Sequence, residues 1–439
     1  MKKCILVTQS LLIAYVLCSL TAAQNPTNKR MNAPLREVND ITRPDANHSV
    51  AIVGATLVDG RGGPPIQDAA VVIRGENIVA VGKRGSVHIL ADAEIFDGRG
   101  LTLLPGLIDS HFHIDGDEGL PALYLTHGVT SLRDPGQWIE AYANVRKQSN
   151  PVPRLFLCGP HLDSFPPAYP KDSFVVRDEE ETRRAVNRFA DDGASAIKVY
   201  FRLPLGLIRV AVAAAHTRGL PVTSHLEIVD AADAIRAGVD GVEHATSFGT
   251  ALLPLRDAEK YRQAVLADNN ARREGRYMVW NSIDLETPRA RALFKLIAES
   301  HVVVSPTLAV FERQTGDKET TAVHVHAFKQ MEGFVGHAFR AGARVVVGSH
   351  SDVPHAERGW AYQREMELLV ESGLTPMQVI VAGTMENARF FRISDRLGSI
   401  EVGKLADLLL IEGEPYKNIS DMRRIRRVML NGKWISADK

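Results

Sequence analysis

Cysteine is scarce: the 439 residues contain three, and two of these, Cys4 and Cys18, lie near the start, leaving only Cys158 in the body of the chain. With that one thiol no internal disulfide forms, so stability rests on packing. A surplus of charge is lacking too, with 52 Lys+Arg against 52 Asp+Glu. Net charge therefore gives no attraction to nucleic acid or to an anionic membrane. What is present is ordinary: 45% hydrophobic and 24% charged residues suffice for a large core and exclude a disordered, collagenous or coiled-coil chain. The length fits two to three domains, or one α/β barrel with an appendage.

Lys2 and Lys3 precede an apolar run from Cys4 to Leu20 and the small residues Ala22 and Ala23. This is the pattern of a secretory signal peptide over 1–23, cleaved after Ala23. An uncleaved anchor is the alternative, since the run nears the length of a spanning helix. Cleavage implies a secreted or periplasmic protein with no stable membrane insertion, and losing Lys2 and Lys3 turns the charge balance slightly acidic.

Residues 24–48 are polar, carry Pro26, Pro34 and Pro44 and show no apolar period, which predicts a tether or an arm draped over the fold. Short β-rich runs follow over 49–104, such as Val50–Val53, Ala70–Ile73 and Ile78–Val81. The same vocabulary returns over 393–439 in Ala406–Ile411, Arg427–Leu430 and the turn Asn431-Gly432. The two ends are expected to complete one β domain rather than two separate hairpins, because chain termini in compact proteins tend to lie close together.

Between them, over 105–392, eight strand candidates alternate with helix-like stretches. The strands are Leu103–Ile108, Val129–Leu132, Leu155–Leu157, Ala196–Tyr200, Val222–Ser224, Gly241–Glu243, Val302–Ser305 and Val345–Val347. Amphipathic stretches at Glu179–Ala190, Leu207–Arg218, Val229–Ala237, Ala327–Ala341 and Tyr362–Ser372 fall between or after them. That alternation predicts a (β/α)8 TIM barrel, whose chemistry sits on the loops after the strand C-termini. The potential metal ligands fall there: His111 and His113 after the first strand, His225 and His244 after the fifth and sixth, His350 and Asp352 after the eighth. In an extended strand residues i and i+2 share a face, so His111 and His113 can bind one metal together. Lys198, inside the fourth strand and flanked by apolar residues, is costly to bury unless neutralised, paired or modified.

Together, Pro105-Gly-Leu-Ile-Asp-Ser-His-Phe-His113, Gly128-Val-Thr-Ser-Leu-Arg-Asp134, Ile197-Lys-Val199, Val222-Thr-Ser-His225, Val242-Glu-His244, Ser305-Pro-Thr-Leu308 and Leu397-Gly-Ser-Ile-Glu-Val-Gly-Lys-Leu-Ala-Asp-Leu408 resemble the metal-dependent amidohydrolase superfamily. The resemblance covers about residues 50 to 435 and is nearest the imidazolonepropionase-like and Xaa-Pro dipeptidase (prolidase)-like branch. It implies a barrel joined to a urease-like composite β-sandwich domain built from both chain ends. It also implies two divalent metal ions, zinc by default. His111 and His113 would hold the buried ion and His225 and His244 the more exposed one, with Lys198 carboxylated by carbon dioxide to bridge them. Water between such ions becomes hydroxide near neutral pH, and an acid after the eighth strand takes its proton and passes it to the leaving amine.

The chain departs from the family pattern at that acid. The usual segment is Gly-Thr-Asp, whereas here it is Gly348-Ser349-His350-Ser351-Asp352, with His350 at the expected aspartate. Asp352 is favoured as ligand and general base if the strand continues, with His350 beside it. Tyr200, His161 and His350 are candidates for substrate contact, and Phe165–Pro170 is a candidate lid. Arg133 and Asp134 are expected to form an ion pair at the barrel rim. The long segment Leu252–Arg289 reads either as solvated amphipathic helix or as a cap supplying a cation to a substrate carboxylate.

The functional expectation is an exported binuclear hydrolase acting on an amide, either a dipeptide or an N-acyl amino acid. Ring opening of a cyclic amide or lactone is the catalytic alternative, and a silent metal-binding scaffold the non-catalytic one. The expected partner is a small-molecule amide and not nucleic acid; a homo-oligomer is compatible with the sequence.

Overall fold

The computed structural model describes residues 33–435, so the leader and the first part of the arm lie outside the described residues. The two chain ends share one sheet. Its strands run in the order Lys433–Ile435, Ile425–Leu430, Leu408–Glu412, Leu101–Pro105, Ser49–Leu57, Ile66–Arg74, Asn77–Lys83, with Glu94–Asp97 paired beside Ser49–Leu57. The ends meet where Leu410 lies opposite Leu103 in an antiparallel pair. Alternation then sorts the side chains: Val50, Ile52, Val71, Leu103, Leu408 and Leu410 form the sheet's own core, whereas Leu104, Leu409, Ile411 and Val428 pack into the barrel core. The unbroken apolar run Leu408–Ile411 is therefore buried on both faces.

The barrel strands are Leu107–Asp109, Val129–Asp134, Arg154–Leu157, Ile197–Val199, Val222–Ser224, Gly241–Glu243, Val303–Ser305 and Arg344–Val345. They pair in parallel as two sheets, the first to third and the fourth to eighth. Backbone bonds bridge the two gaps, among them Ser195 N–H to the Leu157 carbonyl (2.7 Å) and Ser110 N–H to the Val347 carbonyl (3.1 Å). The architecture is thus the expected TIM barrel with a composite β domain.

One expected strand is two. Leu103–Ile108 breaks at Gly106, with Leu101–Pro105 in the composite sheet and Leu107–Asp109 in the barrel. The barrel presses close at the break, where a Cβ on Gly106 would fall 2.3 Å from Thr130 Oγ1. The expected helices occur with shifted ends, as Glu179–Asp192, Leu205–Thr217, Ala231–Arg236, Ala322–Arg340 and Ala361–Glu371. The fourth starts early because Thr321 and His324 form a capping box.

Three further features shape the barrel mouth and its flank. Two short strands, His161–Asp163 and Ser173–Val175, extend the sheet beside the fourth strand, with Leu162 opposite Val199. The segment after the sixth strand folds into the helices Leu255–Ala267 and Ala271–Asn281, the second packed on Ala322–Arg340. The arm touches the third strand around residues 38 and 39, where Val38 N–H bonds to the Leu155 carbonyl at 3.0 Å and Leu155 N–H to Asn39 Oδ1 at 2.8 Å. Among the described residues no helix is long and apolar enough to cross a membrane.

Candidate active site

Five imidazoles converge at the C-terminal mouth of the barrel. Phe112 N–H bonds to the Arg133 carbonyl at 2.9 Å, continuing the pairing of the first strand, so His111 and His113 share a face. Their Nε2 atoms stand 3.0 Å apart. Ring centroids are 4.7 Å apart for His111 and His244, 4.4 Å for His225 and His244, and 4.8 Å for His113 and His350. Burial, reinforced by the neighbouring imidazoles, pushes the pKa values of His111, His244 and His350 far down. Burial likewise holds His225 at about 3. Burial also pulls on His113, but the Asp134 carboxylate 3.5 Å away outweighs it and raises that pKa.

Neutral imidazoles at this density present lone pairs with few partners. His225 Nδ1 is buried without a hydrogen bond, and ligand atoms of His111, His244 and His350 all lie within 4.8 Å of one another. That donor set fits a divalent cation, for which neutral imidazole is a common ligand.

Lys198 reaches the same space from the fourth strand and is 2% exposed. Its amine contacts Glu243 Oε2. Burial, followed by the nearby Arg133 charge, pushes the Lys198 pKa well below the usual lysine range. Glu243 Oε1 lies 2.5 Å from Arg133 Nη2; its Oε2 lies 3.0 Å from His111 Nδ1, in a geometry that makes no hydrogen bond. Sequence reasoning passed over Glu243, although a carboxylate inside Gly241–Glu243 raises the same burial question as Lys198.

Arg133 and Asp134 do not pair with each other, because successive strand residues point to opposite faces. Arg133 is fully buried and donates to the Ser110 carbonyl and Glu243. Asp134 accepts from Tyr142 Oη (2.7 Å) and Gly136 N–H (2.9 Å).

Asp352 is not where the sequence placed it. It is exposed and does not line the cavity, whereas His350 does. The strand ends at Val345, and the chain turns through His350 and Ser351, whose φ angles are 62° and 67°. Such left-handed residues cost about 1–3 kcal/mol each. Asp352 N–H closes the turn onto the His350 carbonyl at 2.9 Å, so the alternation that would have aimed Asp352 inward stops at His350.

The cavity over the imidazoles has a volume of about 260 Å³. On one side His161 stacks on Tyr200, with centroids 4.2 Å apart, and Tyr169 joins them from the Phe165–Pro170 loop. On the other, Arg276 enters from the helix Ala271–Asn281, with Nη2 3.5 Å from His225 Nε2 and 2.7 Å from Glu227 Oε1. Burial raises the Glu227 pKa, but Arg276, His225 and Tyr261 together hold it at about 2. Both readings of Leu252–Arg289 hold in part: Arg256, Lys260 and Arg273 face solvent, while Arg276 lines the cavity. No local pattern in the sequence distinguishes Arg276 from its neighbours or points to Glu227.

The amidohydrolase family model matches residues 102–435, most of the chain. The chain belongs to the amidohydrolase family. Among curated relatives, this amidohydrolase is similar to N-acyl-D-aspartate deacylase of Alcaligenes xylosoxydans xylosoxydans, 37% identical over 119 residues, which is 26% of this chain and 22% of the relative. Imidazolonepropionase of Idiomarina loihiensis is 43% identical over 63 residues, 14% of this chain and 15% of the relative. The matches to these two thus span only 22% and 15% of the relatives' length. Among solved structures, a Xaa-Pro dipeptidase with bound methionine aligns with a TM-score of 0.69 at 22% identity, over 89% of this chain and 100% of that one. The ochratoxinase of A. niger aligns at 0.68 and 20% identity, over 90% and 97%. At these identities the structural likeness is one of fold.

Proposed function

We propose that this amidohydrolase is an exported, metal-dependent enzyme that hydrolyses the amide bond of a dipeptide or an N-acyl amino acid. The observation that carries this reading is a small cavity in which six imidazoles and Lys198 are joined by one guanidinium, that of Arg276. His111, His113, His225, His244 and Lys198 are the side chains that would hold divalent ions, zinc by default. Ions there would polarise the amide carbonyl and lower the pKa of water towards about 7.

The chain's own residues do the rest. Arg276 donates to a substrate carboxylate, and its bonds to Glu227 fix the guanidinium before substrate arrives. His161 and Tyr200 offer stacked aromatic faces to the remainder of the substrate. Carboxylation would place an anion on Lys198 beside Glu243, which repels it unless cations lie between them. Metal binding and modification are therefore expected together.

The match to the deacylase and the dipeptidase-like fold support the substrate class. The match to imidazolonepropionase favours a second reading, ring opening of a cyclic amide. A panel of dipeptides, N-acyl amino acids and cyclic amides, assayed with zinc and bicarbonate, separates them by product mass spectrometry. Cleavage into two molecules supports the first reading, ring opening to one product the second, and bound metal without turnover a silent scaffold. Export rests on the leader sequence, and N-terminal sequencing of the protein from a secreting host should find Gln24 first.

A further inference from the structure

The eighth strand supplies the imidazole of His350 where the family pattern has a carboxylate. The rings of His111 and His350 stack 5.3 Å apart with 13° between their planes. The backbone beneath is tied to the segment that carries His111 and His113. His350 N–H donates to the His111 carbonyl at 2.6 Å, and Ser351 Oγ accepts from His113 N–H at 2.7 Å. Gly348 presses against the same segment, for a Cβ there would lie 2.7 Å from His111 Cβ and 2.6 Å from Ser305 Oγ. The nearest carboxylate on the sixth strand, Glu243, is engaged by Lys198 and Arg133, and Asp352 is at the surface.

We propose that His111, His244 and His350 form a three-imidazole site for one ion, with His350 as the ligand the eighth strand contributes in place of an acid. The proposal rests on the metal-dependent reading above. Its consequence is selectivity. Imidazole nitrogen suits zinc, cobalt, nickel and copper, whereas manganese and magnesium favour carboxylate and water oxygen. A site that exchanges its carboxylate for imidazole takes zinc and cobalt and discriminates against manganese.

The test is metal binding rather than turnover. Full-length mature protein, stripped of metal, is titrated with cobalt and followed by visible absorption, then challenged with zinc and with manganese, with content read by elemental mass spectrometry. Wild type should bind cobalt, release it to zinc and ignore equimolar manganese. His350→Gln should weaken cobalt binding at least tenfold and change the absorption band. His350→Asp should restore binding while shifting preference towards manganese. Asp352→Asn should match wild type.

Circular dichroism confirms that each variant is folded; should His350→Gln fail that check, the shift in cobalt-against-manganese preference between wild type and His350→Asp still decides. A wild-type spectrum and affinity retained in His350→Gln, loss of metal from Asp352→Asn, or equal uptake of manganese by wild type would each overturn the proposal while leaving the metal-dependent reading intact. Wild type that binds none of these metals overturns both.

Discussion

The first and eighth barrel strands end side by side, and their loops are built in different ways. After the first strand the pairing continues through Phe112, whose ring is buried against Tyr124 at 4.9 Å, and His111 and His113 fall on one face by strand periodicity alone. After the eighth, two left-handed residues reverse the chain, presenting His350 inward and Asp352 outward. The second loop takes its shape from contacts with the first: the His111 carbonyl, the His113 N–H and the close approach at Gly348. One loop is specified locally and the other by its neighbour. Changes in the first should therefore disturb the second more than the reverse.

The largest effect is expected at His111, which both loops share. His111→Ala should lose bound metal, and amide hydrolysis should fall by about 10³-fold or more, read by elemental analysis and steady-state kinetics. Lys198→Ala comes next: metal content and activity should fall together, with partial recovery when a small carboxylate such as acetate is added to occupy the vacated space. Full activity in that variant without rescue would count against the carboxylated lysine.

Gly348→Ala probes the dependence of the second loop on the first. The new Cβ would meet His111 Cβ at 2.7 Å and Ser305 Oγ at 2.6 Å, so about 1–3 kcal/mol of stability should be lost in chemical denaturation, with weaker metal binding. Arg276 belongs to neither loop and separates substrate binding from metal binding. Arg276→Gln should raise KM by about 10–100-fold for substrates with a free carboxylate, leave amidated ones almost unchanged and retain metal. The smallest effect belongs to Asp352→Asn, with stability within about 0.5 kcal/mol of wild type.

The same contrast explains what could be read from the sequence. The barrel was legible because strand and helix periods alternate along the chain. The grouping of His111, His113, Lys198, His225 and His244 follows once strand ends are taken to share one rim. What escaped depended on contacts between distant segments. Gly106 divides one apolar run between two sheets because Thr130 crowds it. Asp352 turns outward, while His350 stays at the cavity, because the chain reverses through the left-handed residues His350 and Ser351. Arg276 reaches the cavity from a helix inserted after the sixth strand and bonds to Glu227, two residues beyond His225; neither residue has a local signature. Glu243 was readable, since a carboxylate buried in a strand requires a cation as surely as Lys198 requires an anion.

The most direct measurement is hydrolysis of one carboxylate-bearing amide by chelator-treated protein as zinc is returned in bicarbonate buffer. Activity should be absent from the stripped protein and rise in proportion to the zinc bound. Hydrolysis at the full rate by metal-free protein would contradict a metal-dependent site at the barrel mouth.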